Sequence, residues 1–364
     1  MVQLRIPGPT PCPPEVLSAM AMPMVNHRGA EYKKTLLDVT DKLKAVYQTT
    51  NDLLILTGSG TGGLEAAVVN VLSPSDKVLS VSIGVFGNRW ASIAKTFGAE
   101  VISLDYEWGK AANPDEIAQK LIDNPDVKAV MVTHNETSTG VTNDLEGIAK
   151  VVKGAGKLLL VDAISSLSSI NLPVDELGCD VVLSGSQKGW MVPPGLVFAS
   201  VSEEAWAAYK THKMPSFYWD LGKAKDYLAK GENPWTPAVS IVFALNVALD
   251  MMMKEGIQNV FDRHVKLASM ARQGVKDLGL QLFADEKYAS NTVTAVRAPE
   301  GFDANDLRKV MKDKYDVVLA GGQQDLNGKI FRIGHLGYVS ENDINEVLTS
   351  LAAALKDIGF NGRS

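Results

Sequence analysis

"LLILTGSGTGGLEAAVV", residues 53–69, sets an apolar run, a glycine-rich turn and a helical pattern in direct succession. Leu53 to Thr57 read as a strand buried on both faces, because the run is continuously apolar rather than alternating. Gly58, Gly60 and Gly63 fit the spacing G-x-G-x-x-G. Glycines there expose backbone N–H groups, and a helix beginning near Gly62 points the positive end of its dipole at them. Ser59 and Thr61 add hydroxyl donors. Such a loop suits a dinucleotide's pyrophosphate or a single phosphate, or it is only a tight turn that needs φ > 0. A dinucleotide site also wants an acid at the end of the second strand, to hold the ribose hydroxyls. The second apolar run, "KVLSVSIG" (77–84), ends in Ser82, Ile83 and Gly84, with Asp76 in front of it. A dinucleotide therefore fits poorly, whereas one phosphate still fits.

Working outward, further apolar runs follow at 77–82, 100–104, 128–133, 157–162, 180–185 and 196–200. Helix-length segments separate several of them, such as "LEGIAKVVKGAGK" (145–157). This is the βαβ signature of an α/β protein, a mostly parallel sheet between helices. The pattern changes at "NPWTP" (233–237), after which "AVSIVFALNVALDMMMKEG" (238–256) reads as one long apolar helix. Its Met-rich end suits core packing. Beyond it, helical segments alternate with short strands, "NTVTAVRAP" (291–299) and "KIFRIGHLG" (329–337). The expected division is a Pro-rich extended arm over 1–14, a large domain over 15–255 and a smaller α+β domain over 256–364.

A chain of 364 residues is too long for one small core. A net charge of −6 argues against a nucleic-acid surface. Cys12 and Cys179 lie far apart, which excludes a disulfide framework and zinc spacing and fits a reducing compartment. No run approaches 18 apolar residues, so no membrane span is expected. "MVQLRIPGPTPCPPEV" lacks the apolar centre of a leader, and "FNGRS" is not a peroxisomal tripeptide. The expectation is a cytoplasmic enzyme.

A second constellation sits at strand ends. "LLLVDA" puts Asp162 at the carboxyl end of a buried strand, and "DVVLSGSQKGW" puts Lys188 just past another. Ligands of open α/β sheets gather at such ends. Taken singly, Lys188 is a solvated loop residue and Asp162 a helix N-cap. Together with a phosphate loop they form the kit of a pyridoxal 5′-phosphate site: a lysine for the aldehyde, an acid for the ring nitrogen and a cup for the phosphate.

On these residues the chain resembles the fold-type I, class V aminotransferases, above all the alanine–glyoxylate and serine–glyoxylate enzymes. The likeness runs through "IPGPTPCPPEVLSAM", "NHRGAEY", "LTGSGTGGLEAAVVNVL", "THNETSTGV", "LLLVDAISSL", "SGSQKGWMVPPGL", "PWTPAVSIVFAL" and "IFRIGHLGY", in family order. It implies a large domain with a mostly parallel seven-stranded sheet and a smaller C-terminal domain.

The resemblance also implies roles. Lys188 matches the lysine that holds the cofactor and then moves a proton on the substrate. Asp162 matches the acid under the pyridine nitrogen. Ser59, Gly60, Thr61 and Gln187 match the phosphate cup. Thr236 matches a residue that the neighbouring subunit supplies to the phosphate, which implies a homodimer with sites at its interface. The tyrosine that some relatives use there is absent; Asn233 or Trp235 lies in that region. Phe86 falls where an aromatic ring stacks on the cofactor, with a core aromatic as the other reading. Thr137 matches a small hydroxyl residue near the ring oxygen, and His134 pins its loop. Arg332 matches the arginine that grips the substrate carboxylate, and Gly8 and Asn26–His27 match segments near the substrate. His264 and His335 take no catalytic role.

The implied partners are a small amino acid, alanine or serine, and a 2-oxo acid, glyoxylate. No second arginine near a motif suggests a distal carboxylate site. Aminoethylphosphonate transamination is the alternative. A cysteine desulfurase would need a nucleophilic cysteine on a mobile C-terminal loop, and no cysteine follows Cys179.

Overall fold

The computed structural model describes residues 2–360; Met1 and residues 361–364, the end of the C-terminal pentapeptide, lie outside the described residues. In chain order the strands are β1 (Gln3–Arg5), β2 (Asp52–Gly58), β3 (Lys77–Ser82), β4 (Glu100–Asp105), β5 (Ala129–Thr133), β6 (Asn135–Glu136), β7 (Val141–Thr142), β8 (Leu158–Asp162), β9 (Val181–Gly185), β10 (Gly195–Val201), β11 (Val293–Arg297), β12 (Val317–Gly321) and β13 (Ile330–Gly334). Seven of them form one sheet in the order β2-β10-β9-β8-β5-β3-β4.

From β9 to β4 the neighbours run parallel. β10 is antiparallel to both β9 and β2. The reversal follows from the connection: β9 and β10 are joined by residues 186–194 without a helix, and parallel neighbours need a longer crossover. Two reversals return β2 to the direction of β9, so the loop after β2 opens on the same sheet end as Asp162 and Lys188.

The continuous apolar runs serve two separate cores. Alternate residues such as Leu53, Ile55, Val130, Val132, Leu159 and Val161 enter one. Leu54, Leu56, Met131, Leu160, Val181 and Leu183 enter the other. Helix Val239–Glu255 covers the first core with Val242, Leu245, Leu249 and Met252. The helix Gly60–Val71 covers the second with Leu64, Val68 and Val71. Each strand is therefore apolar on both faces.

A second sheet runs β1-β12-β13-β11. Its core combines Leu319, Phe331 and Ile333 with Leu307, Val347 and Leu351 from two helices. The N-terminal arm docks here: β1 adds parallel to β12, with Gln3 opposite Val317. The hairpin β6–β7 joins the two halves, since Ser290 N–H donates to the Gly140 carbonyl at 2.9 Å. Among the described residues no helix is long and apolar enough to cross a membrane.

Candidate active site

A cavity of about 110 Å³ opens at the carboxyl ends of the large sheet. Its wall brings together Ser59, Gly60, Thr61, Phe86, Thr137, Asp162, Gln187 and Lys188. Ser59 is the N-cap of the helix starting at Gly60, yet its side chain makes no capping bond. The first-turn N–H groups of that helix lack helical partners, as at any N-terminus, and face a hydroxyl left free for a guest. A Cβ at Gly60 would stand 2.4 Å from Ile164 Cδ1, so a larger residue there would require the Ile164 side chain, in the loop after Asp162, to move. The Gln187 Oε1 is buried without a partner. Amide oxygen and nitrogen are interchangeable by rotation, so this side chain has a hydrogen bond to offer into the cup.

Asp162 is 3% exposed. One oxygen accepts from Ile164 N–H at 3.0 Å, and its backbone carbonyl accepts from His134 N–H at 2.9 Å. Burial pushes its carboxyl up to about 7, and the nearby Glu136 charge adds to the rise. Lys188 moves the other way. Burial draws its amine down to about 8, aided by the positive charges of Arg332 and Arg89 and opposed by Asp162. Its Nζ donates to the Pro7 carbonyl at 2.9 Å. The N-terminal arm thus lies against the lysine, and Thr10 Oγ1 fastens it by donating to the Lys188 carbonyl at 2.8 Å. Gly8, at φ +139°, makes this passage possible: a Cβ there would fall 2.5 Å from Lys188 Nζ.

Arg332 stands on β13 and is 6% exposed, so it does not reach out to solvent from its strand. Nη1 donates to the Thr137 carbonyl at 2.7 Å. Nε and Nη2 donate to the Gly321 carbonyl at 3.0 and 2.7 Å. Among the described residues no carboxylate forms an ion pair with it. Burial lowers its pKa to about 10, so it remains a cation. Arg332 does not itself line the cavity; it reaches the site through Thr137.

Three assignments fall elsewhere in the single chain. Thr236 and Asn26 are exposed and His27 is half-buried, and all three lie outside the cavity. Asn233 is engaged locally: it accepts from Tyr32 at 2.7 Å and donates to the Ile55 carbonyl at 3.1 Å. His134 Nδ1 bonds Ser166 Oγ at 2.9 Å. His264 accepts from Gly337 N–H at 3.0 Å, and His335 Nε2 meets Thr294 Oγ1 at 2.9 Å.

The sequence reading missed Arg89, Asn135 and Ser165, which also line the cavity. Arg89 corrects the expectation that no second arginine stands near the site. Its signal was present, because Arg89 follows Phe86 by three residues and i, i+3 positions share a helix face. Glu136 was missed too. Its buried carboxylate accepts from Phe86 N–H at 2.9 Å and Gly87 N–H at 3.2 Å, which fixes the helix start that presents the ring.

A lysine with a lowered pKa, a buried carboxyl, an aromatic ring and a helix N-terminus with hydroxyls line one cavity and fit pyridoxal 5′-phosphate part by part. The fold and site are those of a fold-type I pyridoxal-phosphate enzyme. The chain belongs to the class V aminotransferase family: the family model described as "Aminotransferase class-V" matches residues 4–346. It is 48% identical to the "Soluble hydrogenase 42 kDa subunit" of Anabaena cylindrica, over 98% of this chain and 94% of that protein. It is 39% identical to the serine–glyoxylate aminotransferase of Hyphomicrobium methylovorum, over 98% and 90%. Among solved structures it is similar to pyridoxamine–pyruvate aminotransferase from Mesorhizobium loti, with TM-score 0.95 and 31% identity over 98% and 93% of the two chains. It is an aminotransferase, and its cofactor is pyridoxal phosphate.

Proposed function

We propose that this enzyme moves the amino group of a small L-amino acid, alanine or serine, to glyoxylate, giving glycine and pyruvate or hydroxypyruvate. Arg332 carries the proposal. A buried guanidinium that forms no ion pair, with only the more distant charge of Glu136 to offset its burial, is costly, and a substrate carboxylate supplies a direct counter-ion. Nη1 and Nη2 each keep one N–H beyond their bonds to the Thr137 and Gly321 carbonyls, and that pair suits a carboxylate. A single such clamp is enough for amino and oxo acids that have one carboxylate. The likeness to a serine–glyoxylate aminotransferase supports glyoxylate as acceptor.

Bound pyridoxal phosphate supplies an electrophilic aldehyde and an electron-accepting ring. Lys188, drawn to about 8, has a neutral amine available near physiological pH and can carry a proton on Nζ from one carbon to another. Asp162 holds a proton on the ring nitrogen. Ser59, Gly60, Thr61 and Gln187 would hold the phosphate, and Phe86 and Thr137, which line the same cavity, would contact the ring. Gly8 bounds the substrate side. Desulfurase chemistry is disfavoured, because Cys179 is buried and its thiol is pushed up to about 12. The exposed Thr236 is left to serve a neighbouring subunit's phosphate, so the working unit is a homodimer.

The test is a half-reaction. Single amino acids, aspartate among them, are added to the holoenzyme while its visible absorption is followed. Alanine or serine should bleach the cofactor band, and glyoxylate should restore it. Bleaching by aspartate alone, or no recovery with glyoxylate, would overturn the substrate assignment.

A further inference from the structure

The cavity contains one cation that this chemistry leaves unused. Arg89 lies on the helix Val85–Thr96, one turn beyond Phe86. Its guanidinium sits over the Phe86 ring, 4.8 Å from the centroid. Nη1 donates to Thr61 Oγ1 at 3.3 Å. No carboxylate among the described residues forms an ion pair with it. Arg89 is also near enough to Lys188 for its charge to help lower the lysine's pKa.

The cup beside it is made of neutral donors: two hydroxyls, one amide and the first N–H groups of a helix. A phosphate monoester carries about −1.5 to −2 at pH 7, whereas a helix end offers roughly +0.5. Neutral donors and a dipole therefore leave about one negative charge unmatched. Arg332 does not fill the gap, since two backbone carbonyls tie it to the substrate side of the cavity. Arg89 touches the cup through Thr61 and is aligned by the ring it stacks on. A guanidinium stacked on an aromatic face keeps free N–H groups along its edge.

We propose that Arg89 is the counter-charge of the cofactor's phosphate, held in place by Phe86 and Thr61. The inference rests on the pyridoxal-phosphate assignment and adds a residue to it. A charge-assisted hydrogen bond at this position strengthens cofactor retention without touching the reacting atoms. It also explains why a cation is kept in the wall of a cavity whose lysine it repels.

The test compares cofactor binding with and without the phosphate. Full-length protein is stripped of cofactor and titrated with pyridoxal phosphate or pyridoxal, and tryptophan fluorescence is read. Arg89→Gln should bind pyridoxal phosphate roughly 10- to 100-fold more weakly, the span of one hydrogen bond to a charged group. Its affinity for pyridoxal should stay unchanged. Arg89→Lys should recover part of the loss, and added salt should narrow the gap between wild type and Arg89→Gln. Equal pyridoxal-phosphate affinity in Arg89→Gln, with a higher KM for aspartate, would assign the cation to substrate and overturn the inference. An equal loss for both ligands would do the same, because Arg89 would then act only through the Phe86 ring. Failure of the wild type to bind pyridoxal phosphate would instead overturn the cofactor assignment beneath it. Matching thermal unfolding of the variants guards against misfolding.

Discussion

Lys188 and Asp162 approach neutrality from opposite sides, and for one reason. Burial disfavours the charged form of each, which lowers an amine and raises a carboxyl. The shift of Asp162 has a consequence for stability. Its carboxyl rises from 3.8 to about 7 on folding, so between those values the folded chain holds a proton that the unfolded chain releases. Stability without cofactor therefore falls as pH rises through that window, by up to about 1.4 kcal/mol per pH unit. Asp162→Asn removes the titration. The stripped variant should match the wild type near pH 4 and exceed it at pH 7 in denaturant midpoint. Midpoint curves that stay parallel from pH 4 to 7 would show that Asp162 does not titrate in this way.

Among the elements, β2 and its helix were plain in the sequence because three cues agree at residues 53–69: the apolar run, the glycine turn and the helical pattern. β1 and β12 were not. β1 has three residues and gains its hydrogen bonds from a strand more than 300 positions away in the chain, which no local pattern reports. β12 follows its helix directly, with Asp316 turning the chain at φ 56°, and nothing separates the strand's apolar residues from the helix's. The arm that β1 anchors then crosses Lys188 at Gly8. A side chain there meets both the lysine and an unfavourable φ, so Gly8→Ala should displace Lys188 Nζ from the Pro7 carbonyl. Cofactor content, read from visible absorption, should drop at least about tenfold, as one lost hydrogen bond to a charged group implies, while circular dichroism stays unchanged. Full cofactor content in Gly8→Ala would show that the arm does not position the lysine.

Across the whole molecule, the site is assembled from two sheets. Asn135 donates to Ser165 at 2.8 Å on the large-sheet side and to Thr292 at 2.9 Å on the other. Arg332 spans the same seam to reach the Thr137 carbonyl. Thr236 lies outside this assembly in the single chain. Its assignment therefore predicts a dimer: light scattering at micromolar concentration should give twice the chain mass, and Thr236→Ala should weaken cofactor binding without dissociating the dimer. A monomer that binds cofactor with full affinity would remove Thr236 from the site.

The sequence by itself determined the α/β class, the order of the large-sheet strands along the chain and the kit of lysine, acid and glycine cup. Each is written locally, in hydrophobic period, in turn chemistry and in residue type at a strand end. Tertiary structure decided what depends on approach between distant segments. It set β10 against its neighbours, docked β1 beside β12, laid Pro7 and Gly8 over Lys188 and brought Arg89 to the cup. It also set the charge states, because desolvation is a property of the packed surroundings and not of the residue.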